Sequence, residues 1–161
     1  MSAGDFLDHD EWFAQLPGVV VAAGALITDP ADRVLLVKPN YRDYWTLPGG
    51  ICEHGEPPHV GCAREIAEEL GLELRVGALL AIDWARPYRQ EARPVLHFLF
   101  DGGALEDGAG IVLQREELDD FRFTDPAEMS GYLAPYGVRR VAAGLAGRAT
   151  GAAVYQPTRA V

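Results

Sequence analysis

One window constrains this chain more than any other. Residues 50–72, GICEHGEPPHVGCAREIAEELGL, spell a helix whose start and stop are both written in the sequence. Pro57 and Pro58 suit the first turn, where a missing N–H costs nothing, and Gly71 suits the left-handed residue that ends a helix. At about 100° per residue, Val60, Ala63, Ile66, Ala67 and Leu70 gather on an apolar arc, with Glu65, Glu68 and Glu69 nearly opposite. The arc is expected to dock on a sheet. An acidic helix face is ordinarily no more than a solvated surface, but here Glu65 and Glu69 are four apart and Glu68 adjoins both. Like charges are stacked where helical spacing usually pairs opposite ones, at a cost of about a few tenths of a kcal/mol per pair. Arg64, four before Glu68, offsets only one of them. A divalent cation would remove the repulsion, and clustered hard oxygen ligands suit magnesium or manganese.

The rest of the chain is organised around that helix. The β-branched and small segment 18–28, GVVVAAGALIT, and the run 33–38, RVLLVK, flank a DPAD turn and read as a hairpin. Beyond the helix at 57–70, apolar runs at 74–84 and 94–100 suit strands buried on at least one face. Short strands are expected at 111–113 and 121–123, a short helix opening at Pro126, and a last helix over 138–148. Strands interleaved with two substantial helices imply an α/β or α+β fold with helices packed on the sheet faces. The expected organisation is an N-terminal arm or short helix at 1–17, one domain at 18–150 and a C-terminal tail at 151–161.

At 161 residues, a second catalytic or DNA-reading module has no room. Acidic residues outnumber basic ones 24 to 14, a formal charge of -10, so the summed field repels nucleic acid and anionic membrane, and a polyanionic ligand would have to arrive with cations. No apolar stretch is long enough to span a bilayer, and the acidic start lacks the basic and apolar regions of a signal peptide, so the expected location is cytoplasmic. Cys52 and Cys62 have no CxxC or paired Cys/His spacing; they read as small, partly buried hydrophobes.

The window also resembles the signature of the Nudix hydrolase superfamily: Gly, five residues, Glu, seven residues, then Arg-Glu-apolar-any-Glu-Glu-any-Gly-apolar. Gly50, Glu56, Arg64, Glu65, Ile66, Glu68, Glu69, Gly71 and Leu72 meet every fixed position. The preceding YWTLPGG is similar to the family's usual lead-in. The resemblance implies an α/β/α sandwich with a mixed curved sheet between helices, hydrolysis of a diphosphate linked to a nucleoside-type group, and a homodimer. It further implies that Glu65, Glu68 and Glu69 hold the metal with help from a backbone carbonyl at Gly50, and that Glu56 and Arg64 support them. Under this reading a bound cation would neutralise the phosphate oxygens and align the attacking water. The general base is either Glu65 or a glutamate of the later loop, Glu116 or Glu117.

The substrate-choosing residues are less sharply marked. Arg86, Arg89 and Arg93 make a local positive excess in an acidic chain, and arginine forks suit phosphate. Lys38, the only lysine, ends a strand facing the signature turn. Tyr41, Tyr44 and Tyr88 are candidates to stack on a base, whereas Trp45 reads as packing beneath the turn. Pro87 and Tyr88 both stand near the position that marks some Nudix subfamilies, and they point to different substrates. His54 and His59 read as exposed spectators, and His97 as a satisfied sheet histidine. The alternative to an enzyme is a nucleotide-sensing module of the same fold that binds without turnover. Such modules usually lose signature acids, and this chain has them all. Isomerase chemistry on this fold would need a cysteine outside the signature segment, where none occurs.

Overall fold

The computed structural model describes residues 8–86, 93–106 and 108–157. After a short helix α1 (His9–Ala14), the chain forms β1 (Val20–Thr28), β2 (Val34–Pro39), β3 (Gly49–Ile51), α2 (Pro58–Leu70), β4 (Leu79–Ala85), β5 (Val95–Ala104) and β6 (Leu118–Thr124). A 3₁₀ turn at Pro126–Gly131, α3 (Pro135–Thr150) and β7 (Val154–Pro157) complete it. The DPAD turn between β1 and β2 is tied by Asp29, whose Oδ1 accepts from the Ala31 and Arg33 N–H groups at 3.0 and 2.8 Å.

The sheet is mixed, in the order β6-β2-β1-β5-β4-β7, with β3 pairing β1 beside this path. β1 with β5 and β4 with β7 run parallel, and the remaining pairs run antiparallel. Helices cover both faces, as the sequence pattern implied. Strand β2 shows why it reads as an unbroken apolar run: Val34 and Leu36 enter the core beneath α3, while Leu35 and Val37 enter the core beneath α2.

Five expectations need correcting. First, the run 74–84 becomes strand only from Leu79. Second, 111–113 is not a strand. The Val112 and Gln114 N–H groups donate instead to the Leu70 and Glu69 carbonyls, at 2.8 and 3.0 Å, satisfying groups that a helix leaves unpaired at its end. Third, the segment read as a tail contributes β7 along β4. Fourth, α2 is turned from its expected orientation. Cys62, Ile66, Glu69 and Leu70 are buried, whereas Val60 and Ala67 are exposed, a rotation of about 60–70° on the helical wheel that carries Glu69 inward. α3 also runs beyond both ends of the 138–148 expected for it.

Candidate active site

The site is built where α2 passes the turn entering β3. Gly24 and Gly49 are register partners, as are Ala23 and Gly50. Gly49 adopts φ 132°, and a Cβ there would strike the Ala23 carbonyl and Gly24 Cα, so only glycine permits this approach. Its freed N–H donates to Glu69 Oε2 at 2.8 Å. A Cβ on Gly50 would lie 2.5 Å from the Glu65 carboxylate, so the missing side chain is the space that carboxylate occupies. At the far end Gly71, φ 65°, closes the helix as expected and donates its N–H to Ala67.

Arg64 is the hub. Its Nε and Nη2 grip the two oxygens of Glu56 at 2.9 and 3.0 Å, and its Nη1 donates to both Glu65 and Glu68, at 2.9 and 3.0 Å. Nη2 also donates to the Ile51 carbonyl at 3.2 Å, fixing α2 against β3. The planar fork can serve three carboxylates at once, which a lysine could not do. The arginine holds the Glu56 carboxyl below its usual range, helped by the Glu53 N–H.

Glu65 and Glu69 are under opposite pressure. Burial, then the charges of Glu68 and Glu117, push the Glu65 carboxyl up against the pull of Arg64. Glu69 is only 8% exposed. Burial above all, with the charges of Glu65, Glu117 and Glu68, pushes it up to about 8 despite the Gly49 N–H. These acids want positive charge that a single guanidinium does not supply.

Among the described residues, no three His, Cys, Asp or Glu side chains stand together as a ready-made ion cage. The hydrogen bonds explain it, since Arg64 engages Glu65 and Glu68 while the glycine turn engages Glu69. The donor set nonetheless fits a hard divalent cation: all oxygen, mutually repelling, and cradled by a glycine turn that leaves backbone close at hand.

The other expected site residues are distributed unevenly. Glu117 is exposed, but its charge reaches both Glu65 and Glu69, and its carbonyl accepts from the Asn40 N–H at 2.9 Å. Glu116 meets Asn40 through its own carbonyl at 2.7 Å. Lys38 donates from its ammonium to the Pro39 and Arg42 carbonyls. Tyr44 is half-buried, its hydroxyl 3.1 Å from that of Tyr136 and 3.3 Å from Arg42 Nη1. Arg86 and Arg93 are exposed, while Arg89, Pro87 and Tyr88 lie outside the described residues. Trp45 packs edge-on against Tyr132. Cys52 and Cys62 are free thiols, and burial pushes Cys62 up to about 12. His54 and His59 are exposed. His97 departs from expectation, because its Nδ1 is buried with no hydrogen-bond partner. Sequence reasoning also missed its neighbours Asp83, Tyr136 and Arg140; the signal was an aspartate inside the apolar strand LLAIDWA.

The NUDIX domain family model matches residues 18–143. The chain belongs to that family, the Nudix hydrolases. Residues of the chain are 31% identical over 80 positions to YjhB of Bacillus subtilis (strain 168), whose name assigns it provisionally to the ADP-ribose pyrophosphatases. They are 43% identical over 56 positions to diphosphoinositol polyphosphate phosphohydrolase 2 of Rattus norvegicus. These matches cover 49% and 34% of this chain and span only 38% and 31% of the two relatives. The solved structure of a UDP-X diphosphatase superposes with TM-score 0.70 at 21% identity, covering 94% of this chain and 76% of that one, a likeness of fold. No helix among the described residues is long and apolar enough to cross a membrane.

Proposed function

We propose that this chain hydrolyses a diphosphate bond in a nucleoside diphosphate derivative or nucleoside triphosphate, with magnesium or manganese bound. The observation that carries this reading is the trio on α2: Glu69 held by the Gly49 N–H, Glu65 filling the space of the absent Gly50 side chain, and Glu65 and Glu68 both bonded by Arg64. Glu65, Glu68 and Glu69 would hold the cation, with the Gly50 carbonyl available as a further oxygen ligand. When bound, the cation neutralises phosphate oxygens and lowers the pKa of the attacking water. Arg64 is a positioning residue that aims Glu65 and Glu68. Glu117, exposed and with its charge felt by both Glu65 and Glu69, would accept the proton of the attacking water. Tyr44 contributes to binding the organic part of the substrate.

The test is a panel of ADP-ribose, nucleotide sugars, dinucleoside polyphosphates and oxidised nucleoside triphosphates, with product identification. At least one should be cleaved at its diphosphate in the presence of magnesium, and excess chelator should abolish turnover. Undiminished turnover in chelator would overturn the reading. Tight nucleotide binding with no cleavage of any compound would replace it with the sensing module.

A further inference from the structure

We propose that Asn40, in the turn after β2, is the positioning residue for Glu117: it clips the backbone of the loop that carries this glutamate and so aims its carboxylate at the attacking water. The inference rests on the proposed hydrolase reading, in which Glu117 accepts that water's proton.

Glu117 is exposed and belongs to a loop, whereas a general base must stand within hydrogen-bond reach of the proton it takes. The order has to come from the backbone. The Glu117 and Leu118 N–H groups both donate to the Gln114 carbonyl, at 3.1 and 2.9 Å, closing residues 114–118 into a turn. The Gln114 N–H donates in its turn to the Glu69 carbonyl at 3.0 Å, so the loop stands on the end of α2. Leu118, 1% exposed, roots the other side in the core. Asn40 then takes two carbonyls in a row: its Nδ2 donates to that of Glu116 at 2.7 Å, and its N–H to that of Glu117 at 2.9 Å. With the N–H and the C=O of Glu117 both engaged, only its side-chain torsions remain free.

Asparagine suits this task. Catching two consecutive carbonyls takes two donors close together, and asparagine supplies one from the main chain and one from its amide. Aspartate has the same shape but, when ionised, only accepts. The sheet delivers Asn40 to the place. Lys38 pairs with Asp120 but Pro39 pairs with Leu118, so the register of β2 on β6 passes over Asp119 and sets Asn40 opposite Glu117. Such irregularities commonly re-aim side chains beside active sites. The Lys38 ammonium donates to the carbonyls of Pro39 and Arg42, which flank Asn40, and so stiffens the turn that carries the clip.

Asn40 and Glu117 are both exposed, and bonds there add little to folding because water competes for the same groups. Their effect is on where Glu117 stands. A displacement of about 1 Å in a reacting group can cost about a hundredfold in rate.

Steady-state kinetics and amide hydrogen exchange of the full chain test this. Asn40→Ala should lower kcat about tenfold on whichever diphosphate is cleaved, with KM and the magnesium requirement unchanged. Its melting temperature should stay within about 2 °C of wild type, as for a surface substitution. Asn40→Asp, which keeps the shape and loses the side-chain donor, should lose as much activity. Glu117→Gln should itself lower kcat by about a hundredfold or more, and adding Asn40→Ala to it should change kcat less than about twofold, because both act through one group. Amide exchange at positions 40, 117 and 118 should quicken severalfold in both Asn40 variants, with the ends of α2 unaffected. Wild-type kcat in both Asn40 variants would overturn the assignment, as would a tenfold loss that persists in the Glu117→Gln background or exchange that does not change. Wild-type turnover in Glu117→Gln would bring down the general-base reading and this assignment with it. Turnover that survives chelator while the double-mutant cycle holds would bring down the metal reading alone. Exchange, read without substrate, decides the clip whether or not a cleaved compound is found.

Discussion

Glu69 stands between stability and the proposed chemistry. Its carboxyl is pushed up to about 8, from an ordinary 4.5, by burial and by the neighbouring glutamates. A raised value means that the folded chain keeps a proton the unfolded chain releases. That contribution to stability is complete below about pH 4.5 and lost as pH rises through about 8. Glu69→Gln keeps an oxygen for the Gly49 N–H and deletes the charge. Thermal melts of the metal-free protein at pH 8 should therefore show the variant melting a few degrees above wild type. Its diphosphate hydrolysis should fall by about a hundredfold or more, beyond what loss of an outer-shell metal residue typically costs. His97 carries the opposite linkage, because burial and Arg140 lower it well below its ordinary 6.5. The folded chain keeps it neutral, so its contribution is complete above pH 6.5 and lost as pH falls below that value. The melting temperature of wild type should drop more steeply between pH 6.5 and 5 than that of His97→Gln. The three glutamates were legible in the sequence as a repelling cluster. That Glu69 is buried was not, because a helical wheel of alternating small and acidic residues does not say which neighbour offers an N–H.

Element by element, the helices were easier to read than their seats. α2 was bracketed by Pro57, Pro58 and Gly71, and its bounds came out nearly as written. Its rotation was set by partners far away in sequence: the Gly49 N–H, the Ile51 carbonyl and the loop at 112–114. α3 was read short because its alanines and glycines have little amphipathic contrast, yet those small residues let it approach the sheet. A Cβ on Gly147 would run into the Leu80 carbonyl of β4. Gly147→Ala should consequently cost about 1–3 kcal/mol, as overpacking does, read as a lower urea midpoint with an unchanged slope. β7 was missed because four residues, VYQP, carry no pattern; the edge offered by β4 makes them a strand.

On the scale of the whole molecule, with a charge of -10 and raised carboxyls at Glu65 and Glu69, binding of a cation by these acids would be linked to folding. A cation at a hundred times its dissociation constant stabilises the folded state by about 2.7 kcal/mol. Magnesium titrated into the metal-free chain should therefore raise its melting temperature in a saturating manner, whereas matched ionic strength from a monovalent salt should not. Glu68→Gln should blunt the magnesium response. Arg64→Lys should lower kcat more than it raises KM, since it disturbs the aim of Glu65 and Glu68.

The sequence by itself determined the carboxylate helix, its ends, the glycine turn and the family, because these depend on spacing along a single stretch of chain. Its alternation and turn residues also implied most of the strands. Only the tertiary structure decided which glutamate turns inward, that Lys38 bonds the Pro39 and Arg42 carbonyls, and that Asp83 lies beside His97 and pairs with Arg140 while Tyr136 meets Tyr44. Those residues come from β4, β5, α3 and the loop before β3, and local physics does not specify contacts across such separations. Sheet register and helix docking bring them together only after the apolar faces have been buried.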